Sequence, residues 1–180
     1  MNRRTPEDAP TDPDRMIRFG TIAGVDLPGA RCTVELDDGV ISPPLRWFET
    51  RSGKTRTWSP PSEGEQVMLL CPGGEIGAGV CLRGVISDAN PAAGDSLTEL
   101  VEFGDGGIVS YDPVGHALAI VLPAGGTMAL IVPGGATLTG DLHCTGTITA
   151  DGDVIAAGIS GKNHKHGLVK AGTDTSGVPQ

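Results

Sequence analysis

Ala136-Thr137-Leu138-Thr139-Gly140-Asp141-Leu142-His143-Cys144-Thr145-Gly146-Thr147-Ile148-Thr149-Ala150 is the stretch that decides how this chain must fold. Its even positions are small or apolar and its odd positions are polar, mostly threonine. A period of two is that of an extended strand with one apolar and one wetted face. Looser versions of the pattern precede it at 107–112, 117–122 and 127–132, and another follows at 154–159, separated by Pro- and Gly-rich corners. Recurrence at intervals of roughly ten residues reads as repeating β-structure over residues 105–160.

A single copy of such a ribbon cannot cover its own apolar face and leaves long strand edges unpaired. Three copies wound about one axis remove both difficulties. The apolar residues fill a thin shared interior, each edge pairs with the next chain, and the threonines meet water. Small side chains suit that slender interior, where three facing residues share one cross-section. The expected assembly is a homotrimer containing an intertwined β-helix.

Beyond the ribbon lies His164-Lys165-His166, which holds two of the chain's four histidines. In an extended segment residues i and i+2 project to one side, so the two imidazoles form a pair that can chelate a metal but not complete its shell. Asp174 is the one carboxylate nearby. Three such pairs on a threefold axis would supply six imidazole nitrogens. That octahedral set suits a first-row ion such as Fe(II) better than tetrahedral structural zinc. The bland alternative is two solvated histidines on a polar strand. A hydrolytic reading would recruit Asp174 or Ser176 beside His166, yet a site so close to a chain end has little around it to orient its ligands. His116 and His143 fall at a turn or in polar phase and read as surface residues.

The totals narrow the function classes. Net charge is -9 over 180 residues, which argues against nucleic acid, whose binding depends on neutralising phosphates with Lys and Arg, and against docking on an anionic membrane. Gly is abundant at 28 and aromatics make up 3%, a composition of short strands and tight turns. Cys32, Cys71, Cys81 and Cys144 match no zinc spacing and read as small buried thiols in strands, consistent with assembly in a reducing cytoplasm. No signal peptide or membrane span is expected.

Residues 16–88 carry five short strand signals, at 17–25, 31–36, 45–48, within 60–72 after an opening turn, and at 78–87, with turns at Leu27-Pro28-Gly29, Asp37-Asp38-Gly39 and Pro72-Gly73-Gly74. Five strands in so short a stretch predict a small closed barrel of the OB type. Trp47 and Trp58 could be core, interface or stacking residues. Residues 1–15, rich in Pro and charge, read as a flexible arm. Residues 89–104 read as a linker with at most a short helix or irregular strand, and residues 161–180 as an apex.

Several segments resemble one family, the baseplate assembly protein V or central spike of contractile phage tails. Ile17 to Asp26 is similar to its opening strand, Pro61 to Gly74 with Gly79 and Gly84 to its barrel signature, and Asp105 to Leu118 to the start of its stalk. His164-x-His166-Gly167, with Val169, Gly172, Thr175 and Pro179, resembles its tip, although Leu168 stands where a second glycine is frequent. The resemblance implies an all-β chain with an N-terminal OB-fold, a trimeric β-helix, and an apex where His164 and His166 of three chains hold one iron ion. It implies no catalysis. It implies a mechanical role in the virion, at the tail baseplate tip, in which sheath contraction drives the spike through the host outer membrane. Its partners would be tail-tube and baseplate hub proteins at the OB end, and no nucleic acid. A spike of a tail-like bacteriocin or type VI secretion device, and a receptor- or carbohydrate-binding tail module, are the alternatives.

Overall fold

The computed structural model describes residues 13–165 and residue 172. Its contacts divide the chain into two units, one ending at Thr127 and one beginning at Met128. Among the described residues the only α-helix is a single turn, Pro13–Met16, and the architecture is otherwise strands and turns. No helix there is long and apolar enough to cross a membrane.

The first unit opens with a five-stranded sheet. β1 (Ile17–Asp26), β2 (Arg31–Leu36), β3 (Arg46–Trp47), β4 (Gln66–Leu70) and β5 (Val80–Leu82) are ordered β2-β1-β4-β5-β3. The sheet curls until its ends meet. Cys32 N–H donates to the Leu45 carbonyl at 2.9 Å and Leu45 N–H to that of Cys32 at 2.8 Å, which joins the segment entering β3 back to β2. That junction turns an open sheet into an OB-type barrel and removes two exposed edges. A bulge in β1 between Ile22 and Gly24 supplies local bend and twist.

The alternation expected from the sequence sets the interior. Val67 and Leu69 of β4, Cys32, Val34 and Leu36 of β2, and Ile22, Leu45, Trp47, Cys71 and Cys81 form one buried cluster. Gly20 lies where β1 runs between β2 and β4. A Cβ there would sit 2.6 Å from both the Glu35 carbonyl oxygen and Val34 Cγ1, so the strands approach closely only because the side chain is absent. The three barrel cysteines are buried as expected, but Cys144 is exposed and lies outside any strand of the single chain. Burial pushes the Cys71 thiol up. A hydrogen bond to Cys32, then burial, push Cys81 up as well, so both stay protonated and behave as small apolar groups.

A second sheet in this unit contains β6 (Glu99–Glu102), β7 (Ile108–Asp112) and β8 (Ala117–Val121), antiparallel in chain order. β6 lies inside the stretch read as linker, and β7 and β8 match the first two ribbon segments. Val101, Val109, Tyr111, Leu118 and Ile120 come together through the pairings Val101↔Val109, Val109↔Ile120 and Tyr111↔Leu118. All five are exposed.

The second unit contains only β9 (Ile155–Ala156) and β10 (Ile159–Ser160), a minimal hairpin. Ala157 and Gly158 turn it with φ of 50° and 83°, the left-handed pair that a two-residue hairpin turn requires. Among the described residues between Leu122 and Val154 there is no strand, although the apolar alternation over 136–150 is strict.

Candidate functional site

Two features of the second unit bear on function: its uncovered apolar face and the turn that carries His164. Met128, Leu130, Leu138, Leu142, Ile148, Val154 and Ile159 are all exposed, and Ile131 is 86% exposed. Each such side chain gains about 1.5–3 kcal/mol when removed from water. A lone chain forgoes that gain at every position. Its backbone groups in 127–150 likewise have few partners, the Gly135 N–H to Val132 carbonyl turn at 2.8 Å being one. A segment with strand alternation, no cover and no ladder is incomplete as one copy.

The turn after β10 is built from side-chain caps. The Asp153 carboxylate accepts from Lys162 N–H at 2.9 Å. The Ser160 hydroxyl and that backbone amide hold the Asp153 carboxyl below the usual range. Asn163 N–H donates to Ser160 Oγ at 2.8 Å, and Gly161 N–H to the Val154 carbonyl at 2.7 Å. These bonds tie the segment entering the histidine pair to the preceding hairpin.

His164 sits at the end of this turn. Its N–H donates to the Ser160 carbonyl at 3.1 Å. Its Nδ1 lies 3.1 Å from that same oxygen and 3.2 Å from the Gly161 oxygen. Carbonyl oxygens only accept, so Nδ1 carries a proton in this contact. A histidine whose Nδ1–H is held by backbone carbonyls meets a metal, where one is bound, through Nε2. His166, the second ligand read from the sequence, lies outside the described residues, as do Asp174 and Ser176. Among the described residues no group of three His, Cys, Asp or Glu converges on a point that could hold a metal. His116, at a turn with φ of 52°, and His143 are exposed and take no part.

Sequence reasoning did not anticipate a structured loop on the barrel between β3 and β4. The Glu49 carboxylate gathers Trp47 Nε1–H at 2.9 Å, Ser59 N–H at 2.9 Å and the Thr57 hydroxyl at 2.8 Å. Arg83 lies 3.5 Å from it and donates to the carbonyls of Phe48 and Ser59. Desolvation raises the Glu49 carboxyl, but these hydrogen bonds and the Arg83 charge outweigh it and leave it below the usual carboxylate range. Trp47 is buried while Trp58 is 58% exposed, with their ring centroids 5.4 Å apart. The only advance signal was two tryptophans flanking a polar loop.

Comparison with known proteins bears on the barrel first. Residues 18–85 match the family described as the Type VI secretion system/phage-baseplate injector OB domain, which spans all five barrel strands. The chain is also 40% identical over 106 residues to the spike protein of Escherichia phage P2, covering 58% of this chain. The chain thus spans about half the length of that relative, 50%. The barrel closed between Cys32 and Leu45 is thus similar over residues 18–85 to the phage-baseplate and type VI injector OB domain, within a chain that resembles a baseplate spike protein.

Proposed function

We propose that this chain is the central spike of a contractile phage tail, carried in the virion at the baseplate tip after assembly in the host cytoplasm. Three copies wind residues 105–160 into a β-helix, and sheath contraction drives the assembly through the host outer membrane. The observation that carries this reading is the uncovered alternating ribbon ending at a backbone-oriented His164. The injector OB family and the phage spike relative support it. The domain plan is a barrel over 16–88, a connecting stretch over 89–104, a β-helix over 105–160 and an apex over 161–180, with 1–15 as an arm. The barrel end would meet tail-tube and hub proteins. The role is mechanical rather than catalytic, with no nucleic-acid partner.

At the apex, His164 and His166 of each chain would hold one iron ion. Bound there, the ion would crosslink three chain ends at one point and resist fraying under load. The residues' own contribution is orientation: the Ser160 and Gly161 carbonyls hold the His164 ring at Nδ1, and Asp153 braces the turn beneath it. The same family description covers type VI devices, so a secretion spike is the second reading. The phage relative favours a tail.

Light scattering and elemental analysis of one purified sample test the proposal together. The expected result is a trimer with one iron per three chains, the iron lost in His164→Ala and His166→Ala. A metal-free single chain would remove both assembly and apex.

A further inference from the structure

Charge is distributed unevenly along the chain. From Gly84 to Gly161 there are nine Asp or Glu and no Lys or Arg. The barrel, by contrast, concentrates cations at one place. Arg31, Arg46, Arg51 and Arg56 join Trp47 and Trp58 around an open cleft of about 300 Å³. The loop that presents them is ordered by its own bonds: Thr57 N–H to the Arg51 carbonyl at 3.0 Å, Gly53 N–H to the Thr55 carbonyl at 3.1 Å, and a Ser52↔Arg56 bridge. Glu49, the acid within the cleft, already accepts from Trp47, Thr57 and Ser59. Among the described residues, Arg46, Arg51 and Arg56 have no carboxylate within ion-pair distance.

The strand register fixes which barrel end this is. β1 runs antiparallel to β4, and β4 to β5. The end of β1, the start of β2, the end of β3 and the end of β5 therefore share one end. The chain leaves the barrel there, after Arg83, toward β6. β6 is an edge strand of its sheet, with Glu99 and Glu102 exposed and Asp95 and Asp105 flanking it. Leu97, Val101 and Phe103 are exposed along the same segment, so it offers apolar contacts to Trp58 as well as carboxylates to arginine.

We propose that the cationic cleft of each barrel grips the acidic edge segment 95–105 of a neighbouring copy, locking barrel to stalk around the assembly. This rests on the trimeric reading above. Own-chain pairing is not made although 95–105 follows the barrel closely in sequence, and the uncovered β6–β8 face requires other copies beside it in any case. Arginine forks match carboxylates in two-bond geometry, and several pairs sharing one cleft act as a network where an isolated surface pair contributes little. The contact also gives the barrels a fixed rotational register on the stalk.

A charge-reversal cycle on the full chain tests it. Arg51→Glu with Arg56→Glu, and separately Glu99→Lys with Glu102→Lys, should each lower the thermal dissociation midpoint of the trimer in low salt by about 5 °C. Molar salt should shrink both losses. The combined four-residue variant should recover most of the midpoint. Losses that simply add, or midpoints that do not move in a protein whose mass remains trimeric, would overturn this contact and leave the trimer standing. A wild-type chain of monomeric mass would overturn both. Should the cleft serve an acidic tail protein instead, the reversals would leave the midpoint unchanged, which the same measurement reads as failure.

Discussion

The barrel and the ribbon are built from the same alternating pattern, yet one is complete in a single chain and the other is not. In the barrel, five short strands curl, and the Cys32–Leu45 bonds close the sheet over ten buried side chains, Leu69 being 0% exposed. In the ribbon, equally apolar residues such as Leu142 and Ile148 stand in water. The difference is curvature. A closed sheet has an inside, whereas a straight ribbon has only a face, and a face needs another surface. Completeness is thus a property of topology rather than of hydrophobicity.

The sharpest way to break this contrast is to charge the ribbon's apolar face. In the proposed trimer, Ile148→Asp or Leu142→Asp would place a carboxylate from each of three chains in one narrow interior. The trimer should be lost outright by light scattering, while Thr147→Asp, on the opposite face, should leave the mass unchanged. Equal behaviour of the two faces would sink the shared-interior reading.

Truncation probes the other side. Residues 13–88 alone should remain folded and monomeric, with a cooperative urea transition, because the ten core residues and all five barrel strands lie within them. Within that fragment Leu69→Ala should cost about 2–5 kcal/mol as a cavity in a fully buried site. A cost near zero in the urea transition would show the interior to be loosely packed. Gly20→Ala should also destabilise the fragment, by about 1–3 kcal/mol, since its methyl would meet the Glu35 carbonyl and Val34.

The smallest expected effect concerns pH. The folded Glu49 carboxyl titrates below its ordinary value, so its contribution is present above the unfolded carboxylate pKa, about 4.3. It is lost as pH falls through the lower folded value. Barrel stability should therefore decline below about pH 4.5. Glu49→Gln should flatten part of that decline while costing about 1 kcal/mol at neutral pH. An unchanged acid slope in the variant would assign the decline to other carboxylates.

Local chemistry made much of this legible. The five barrel strands fell within a few residues of where alternation and turn residues put them, because side-chain period and Gly/Pro punctuation are written directly in sequence. The ribbon's need for partners was equally visible, since apolar residues on one face of a narrow strand imply a covering surface wherever the strand lies. Spacing singled out His164 as a candidate, and the structure shows the backbone carbonyls beside its ring nitrogen. His166 falls beyond the described residues, so the pair itself is still a reading of the sequence. The Glu49 network was not legible: Trp47, Thr57, Ser59 and Arg83 converge from sequence separations of up to 34 residues, and no local pattern records that convergence.

The sequence by itself determined an all-β reading, where the five barrel strands and the strands β7 and β8 lie, and that one copy leaves an apolar ribbon unsatisfied. Those properties depend on period, composition and turn chemistry, which act over a few residues. Only the tertiary structure decided the strand order, the closure of the barrel at Cys32 and Leu45, and which tryptophan is buried. It also decided that Arg31 of β2 shares one cleft with Arg46, Arg51 and Arg56. Such outcomes depend on which distant segments meet, and that is set by the global balance of curvature and burial rather than by any neighbouring residue.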